Sequence, residues 1–294
     1  MIVTGANSGL GKETVVALAS AGARVVLCAR DESRGAEALF EAQQRSGSDR
    51  ISLEYLDLAS VASITAFAER IGATHDRLDV LVNNAGLVLD QRWETAEGVE
   101  LMMGVNHLGH HLLTDLLTDL LVASAPARVI SISSVAHRRV GRRLTSEHLA
   151  AADSFRAFRQ YGRSKLANIL FTTELQRRLG PRGVTAACCH PGLVRSGFGA
   201  EGDHAVIGPI YEVFGRVLMV SPAVGARTQI GLAATDDVEP FAGRYLVRGR
   251  VHRPSRLARD RAHASWLWEE SDRLLAGAGG PTTAGDGDRA RPLA

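Results

Sequence analysis

The sequence predicts an α/β fold, a doubly wound parallel sheet with helices on both faces, built as a single domain over residues 1–276. Three observations predict it. Across the first 190 residues, short β-rich runs alternate with longer amphipathic stretches, the pattern of stacked βαβ units. A glycine-rich loop joins the first strand to the first helix. The connections are short, and no linker or shift of composition divides the 294 residues, so one sizeable core is expected.

Strands are expected at 1–4, 24–29, 51–56, 79–83, 128–133 and 184–189, all of them short and rich in apolar residues. Helical periodicity fills the gaps at 12–21, 33–46, 60–74, 96–123 and 155–179. Two segments break the alternation. Residues 135–159 are long and arginine-rich, and 195–220 carry Phe198, Ile207, Ile210, Tyr211, Phe214 and Met219 with little periodicity. Long irregular segments inside a compact domain are often functional. The second could wall a pocket or pack as a helix on the core. The tail, 277–294, is rich in Gly, Pro, Thr and Asp and is expected to be disordered.

Composition excludes several classes. A net charge of +2 gives no electrostatic case for nucleic acid. Three cysteines cannot form a disulfide scaffold and suit a reducing compartment. No stretch approaches the roughly 18 apolar residues of a membrane span; the leucine-rich run 112–122 is broken by Asp115 and Asp119. Met1 leads directly into an apolar strand, with no signal peptide, so a cytoplasmic protein is expected. Of the 34 Lys and Arg residues only Lys12 and Lys165 are lysine. In a chain so biased toward arginine, a lysine marks a position that arginine fills poorly.

The glycine loop runs Thr4-Gly5-Ala6-Asn7-Ser8-Gly9-Leu10-Gly11 between a strand and a helix. Glycines there allow a tight turn and close approach to a pyrophosphate, which the helix N-terminus stabilises. An ordinary turn would use the same residues, but the strand–loop–helix context favours a dinucleotide. The second strand ends at Ala29, about 18 residues past the loop, where such folds place an acid for the 2′-OH of NAD. Ala29 is not an acid and Arg30 follows, a guanidinium suited to a 2′-phosphate, so NADP(H) is favoured over NAD(H). Asp31 leaves the sign of charge at this corner open.

Tyr161 and Lys165 are four apart on one helix face. A tyrosine titrates near pH 10, too high for acid–base work at neutrality. A neighbouring ammonium and an oxidised nicotinamide would both lower that value. Tyr161 could then protonate a carbonyl oxygen or deprotonate an alcohol, beside a compact ammonium that arginine replaces poorly.

The motifs in order are Thr4–Gly11, Asp57, Asn83-Asn84-Ala85-Gly86, Asn106, Ser133-Ser134, Tyr161-x-x-x-Lys165 and Pro191-Gly192. In this order they resemble the short-chain dehydrogenase/reductase superfamily over nearly the whole chain. The strings TGANSGLGKET, ISSVAHRR, YGRSKLANILF, HPGLVRS and ARDRAHASWLWEES are most similar to its retinol dehydrogenase-like branch. That resemblance implies a Rossmann-type fold and a catalytic set of Asn106, Ser134, Tyr161 and Lys165. Ser134, with Ser133 as rival, would hold the substrate oxygen; Lys165 would also bind the nicotinamide ribose; Asn106 would position a relay water. It places the cofactor against Gly5, Asn7, Ser8, Gly9, Leu10, Gly11, Arg30, Asp57, Leu58, Asn83, Ala85 and Gly86. At the nicotinamide end it adds Tyr161, Lys165, Pro191, Gly192, Val194 and Ser196. It also implies a homodimer or homotetramer.

Three features depart from the pattern. The Ser134–Tyr161 interval is long, Ser8 stands where many NADP(H) enzymes carry a cation, and no membrane anchor is expected, which speaks against retinol itself. The function expected is hydride transfer between NADP(H) and a carbonyl or secondary alcohol of a lipophilic small molecule, as in a ketoreductase of secondary metabolism. The same fold can serve an isomerase, dehydratase or cyclase, or a non-catalytic NADP(H) sensor, although a sensor has little need of Tyr161 and Lys165. No metal is expected. His107 and His111 lack a third ligand, and Cys188 and Cys189, adjacent on a strand, face opposite ways. The arginines of 244–261 are expected to be a solvated surface, and Lys12 stands where it could meet a cofactor phosphate.

Overall fold

In the computed structural model, which describes residues 1–150, 155–194 and 219–279, eight strands form one sheet. They are β1 (Ile2–Val3), β2 (Val25–Ala29), β3 (Ile51–Tyr55), β4 (Val80–Asn83), β5 (Ala127–Ile132), β6 (Val184–His190), β7 (Tyr245–Val247) and β8 (Arg250–His252). Their order is β3-β2-β1-β4-β5-β6-β7-β8, parallel up to β7, with β8 antiparallel at the edge. The six expected strands are all present. The last pair was not anticipated: three residues each are too few to show alternation. The hairpin turns on Arg248 and Gly249, at φ 51° and 75°, the left-handed pair that suits a two-residue connection.

Side chains alternate between two apolar layers, as a pleated sheet requires. Ile2, Val26, Cys28 and Cys188 join one layer, while Val3, Leu27, Ala29 and Cys189 join the other. The first layer is closed by α3 (Val61–Thr74), α5 (Gly109–Leu116), α8 (Ala157–Leu179) and α10 (Arg261–Gly277). The second is closed by α1 (Gly9–Ser20), α2 (Glu32–Ser46) and α9 (Pro222–Ala234). Because β1 lies between β2 and β4, the winding reverses there. A cleft therefore opens beyond the carboxyl ends of β1 and β4, the usual ligand position in such sheets.

The helix expected over 96–123 is not continuous. The Glu100 carboxylate accepts from the amides of Met102 and Met103, both at 2.9 Å, and so starts the short α4 (Leu101–Met103). The chain then widens into a π turn at Gly104–Leu108 before α5, and breaks again at Leu117 before α6 (Thr118–Ala123). Within 135–159 the structure has a 3₁₀ turn at Val135–Arg139 and the short α7 (Ser146–Ala150). Phe198, Ile207, Ile210, Tyr211 and Phe214 lie outside the described residues, as does 280–294 of the tail.

His107 and His111 hold α10 to the fold. His107 Nε2 meets Ser271 Oγ at 3.0 Å and His111 Nε2 meets Asp272 Oδ1 at 2.7 Å. Phe171 of α8 stacks on Trp268 of α10, with ring centres 5.6 Å apart. Arginines 244, 248, 250, 253, 256, 259 and 261 are exposed.

Candidate active site

The loops after β1 and β4 are fastened together. Thr4 Oγ1 accepts from the amides of Asn84 and Ala85 at 3.0 and 2.9 Å, and Asn84 Nδ2 donates to Thr4 O at 2.8 Å. Gln229 of α9 donates to Asn84 Oδ1 at 3.1 Å and to Thr14 Oγ1 at 2.6 Å. Glycine is required by this closeness. A Cβ on Gly5, at φ 59°, would stand 2.8 Å from Ala85 Cα, and one on Gly11 would stand 2.5 Å from Gly5 O. Thr4, Asn84 and Gln229 were not singled out in the sequence; the first two lie inside motifs that were.

Ser8 begins α1 without any side-chain cap bond, so its hydroxyl does not satisfy the amides of the first helical turn. Asn7 is half-buried and Ser8 exposed at the cleft. A Cβ on Gly225 would meet Val194 Cγ2 at 2.7 Å and Leu10 Cδ2 at 2.8 Å, which shows Leu10 and Val194 converging on α9. Val194 also bridges Val220, and Gly192 turns at φ 93° after Pro191. The Pro-Gly segment therefore lies against the glycine loop. Ser196 lies outside the described residues.

At the end of β2, Arg30 is exposed. Asp31 caps α2, its carboxylate accepting from the Arg34 amide at 2.9 Å. The acid is thus engaged by its own helix and the guanidinium is left to define the corner. Asp57, half-buried after β3, accepts from the Ala59 amide at 2.9 Å. The side chain of Leu58 is buried in the core, leaving only its main chain to a ligand. Asn83 is buried as well: its Nδ2 donates to Thr114 Oγ1 at 3.1 Å, and its Oδ1 has no partner among the described residues. Lys12, whose role the sequence left open, is paired within the fold. Its Nζ lies 2.5 Å from Glu41 Oε2 on α2, so it ties two helices together and does not stand free for a phosphate.

The residues expected to react meet at the ends of β4 and β5. Ser133 Oγ donates to the main-chain oxygen of Lys165 at 2.7 Å and is buried, which leaves Ser134 as the available serine. Ser134 caps the 3₁₀ turn, accepting from the Ala136 amide at 3.2 Å, and its hydroxyl is hydrogen-bonded to Tyr161. Lys165, buried on α8, donates to Ile132 O at 3.2 Å, and its Nζ lies 5.6 Å from the Tyr161 ring centre. A Cβ on Gly86 would reach within 3.3 Å of Lys165 Nζ and 3.2 Å of Asn106 Oδ1, so this loop lies close against both side chains. Close packing of α8 on the turn depends on Gly162, where a Cβ would sit 2.8 Å from Ala136 O.

Asn106 occupies the π turn and clamps Leu87, accepting from its amide at 2.8 Å and donating to its carbonyl at 2.9 Å. Its amide also donates to Ser164 Oγ at 3.0 Å. His110, another residue that the motifs did not indicate, connects this turn to the glycine loop. Its Nδ1 lies 3.3 Å from Asn106 O and its Nε2 2.8 Å from Thr4 Oγ1.

Burial pushes the Tyr161 phenol up to about 12, against the opposing pull of the Ser134 hydrogen bond. Burial disfavours the Lys165 ammonium as well and lowers its pKa to about 8.

A helix start without a side-chain cap bond and a cradle that a Cβ on Gly5 or Gly11 would fill together fit a dinucleotide pyrophosphate. No helix among the described residues is long and apolar enough to cross a membrane.

Residues 1–205 match the model of the short chain dehydrogenase family. The chain is 41% identical over 278 residues to dehydrogenase/reductase SDR family member 13 of Bos taurus, covering 95% of this chain and 73% of that protein. It is 38% identical over 288 residues to retinol dehydrogenase 13 of Homo sapiens, covering 94% and 84%. Among solved structures, a protein of Mycobacterium Paratuberculosis superposes with a TM-score of 0.74 at 30% identity, covering 96% of this chain and 94% of that one. RhlG of Pseudomonas aeruginosa, solved as an NADP active-site complex, superposes with a TM-score of 0.64 at 26% identity, covering 87% and 95%.

Proposed function

The chain belongs to the short chain dehydrogenase family of alcohol and carbonyl oxidoreductases, and from that premise we propose that it reduces or oxidises a lipophilic small molecule with NADP(H) in preference to NAD(H). The observation that carries this reading is the Ser134–Tyr161 hydrogen bond with Lys165 on the same helix face. Arg30, exposed at the end of β2, supports the 2′-phosphate preference. RhlG, which shares the fold and was solved with NADP, supports it as well. A lipophilic substrate is supported by exposed apolar residues around the site: Val135 beside Ser134, Phe158 with its ring 6.5 Å from that of Tyr161, and Leu193 beside Gly192.

The cofactor, when bound, supplies or accepts the hydride. Gly5, Gly9 and Gly11 would cradle its phosphates at the start of α1, with Asn7, Ser8 and Leu10 alongside and Arg30 at the ribose. Asp57 and the main chain of Leu58 and Ala85 would border the adenosine side. Gly86, Pro191, Gly192 and Val194 would border the nicotinamide side. Ser134 would donate a hydrogen bond to the substrate oxygen and hold it by Tyr161. Tyr161, protonated at neutral pH as a phenol ordinarily is, would deliver its phenolic proton to that oxygen as negative charge develops there. Lys165 would favour the resulting phenolate with its ammonium, and Asn106 keeps the Leu87 segment, next to Gly86, in place beside it. The three free, buried cysteines suit work in the cytoplasm.

Replacing Tyr161 by Phe tests the assignment. NADPH oxidation with a panel of lipophilic ketones is expected to cease while NADPH still binds; near-wild-type turnover would overturn it.

A further inference from the structure

The 3₁₀ turn that carries Ser134 also carries a buried histidine with a partner on each ring nitrogen. His137 is 0% exposed. Its Nδ1 lies 2.6 Å from the main-chain oxygen of Ser134, and its Nε2 accepts from the Ser255 amide at 3.1 Å. A backbone amide only donates, so Nε2 presents its lone pair and the ring proton sits on Nδ1, donating to Ser134. Burial keeps the ring neutral by lowering its pKa.

The surroundings fix this ring. Its edge meets the Tyr245 ring of β7 at 5.2 Å, and Arg138 Nη2 donates to Arg253 O at 2.6 Å. The carbonyl of Ser134 is thus gripped by the ring and by the His137 amide, while its hydroxyl is directed to Tyr161. We propose that His137 is a positioning residue for Ser134, through which the loop after the C-terminal hairpin, at Ser255, sets the placement of the serine that holds the substrate oxygen. The inference rests on the reading of Ser134 given above.

Two substitutions separate the two ring nitrogens. Asparagine places a side-chain amide where Nδ1 donates, and glutamine places a carbonyl oxygen where Nε2 accepts. His137→Ala and His137→Gln are expected to lower kcat roughly 10- to 100-fold, with the KM and Kd for NADPH changed less than about twofold. His137→Asn is expected to recover most of the rate, and in the wild-type protein ¹⁵N NMR of the ring is expected to show the neutral Nδ1–H form at pH 7. Loss of thermal stability in all three variants with wild-type kcat would overturn the proposal, as would an Nε2–H or protonated ring. Ser134→Ala separates the two levels. Full kcat in that variant sinks the reading beneath; its loss, with His137→Ala fully active, sinks the inference alone.

Discussion

The hydroxyl of Ser133 donates to the main-chain oxygen of Lys165 at 2.7 Å, and this bond leaves its neighbour Ser134 as the serine beside Tyr161. Ser133 fastens the end of β5 to the middle of α8, whereas Ser134 is turned to Tyr161. Ser134→Ala is therefore expected to lower kcat by roughly 10²- to 10³-fold while NADPH affinity holds. Ser133→Ala is expected to cost about 1–2 kcal/mol of stability, since it removes a buried hydrogen bond, and to change kcat far less. Steady-state kinetics and thermal unfolding of the two variants check this; an exchange of the two phenotypes would reverse the assignment.

Arg30 and Asp31, adjacent and opposite in charge, should have separable roles. A charge-assisted phosphate contact contributes about 1.5–3 kcal/mol, so Arg30→Asp is expected to lower kcat/KM for NADPH by roughly 10- to 100-fold and to favour NADH. Asp31→Ala removes a helix cap and is expected to cost about 1 kcal/mol of stability. Its ratio of NADPH to NADH use should match wild type. An unchanged ratio in the Arg30 variant would refute the phosphate role.

Lys12 is paired with Glu41 across two helices, with side chains 21% and 46% exposed. Such a pair contributes little and is screened by salt. Lys12→Ala is expected to change stability by less than about 1 kcal/mol and to leave the KM for NADPH unaltered. A KM raised about tenfold for NADPH alone would show that this lysine reaches the cofactor.

Most of the scaffold was legible because its signals are local. Alternating apolar runs gave β1 to β6, and glycine spacing gave the loop after β1, where backbone closeness tolerates no side chain. Other features depend on partners distant in sequence. Lys12 meets a carboxylate 29 residues away and His137 meets an amide 118 residues away; no periodicity encodes either. The π turn at Gly104–Leu108 interrupts a stretch whose apolar pattern reads as one helix, and the Asn106 clamp on Leu87 that accompanies it is a tertiary contact. Tyr161 illustrates a different limit. Charge proximity could be read from a four-residue spacing, but the burial that raises its pKa could not.

Lys165 ties activity against stability. Its folded-state pKa is lowered by burial from 10.5 to about 8. Below pH 8 the ammonium is charged in folded and unfolded chains alike, and burying it destabilises the fold. Between about 8 and 10.5 the unfolded chain binds a proton that the folded chain does not, so stability rises with pH across that window. Lys165→Met removes the penalty. The hydrogen bond it loses does not orphan Ile132 O, which still accepts from Asn168 Nδ2 at 2.9 Å. The variant is therefore expected to be inactive yet to melt a few degrees higher than wild type at pH 7, with the gain shrinking toward pH 10. Thermal unfolding at both pH values checks this; a variant that melts lower at pH 7 would show that the buried ammonium stabilises the fold.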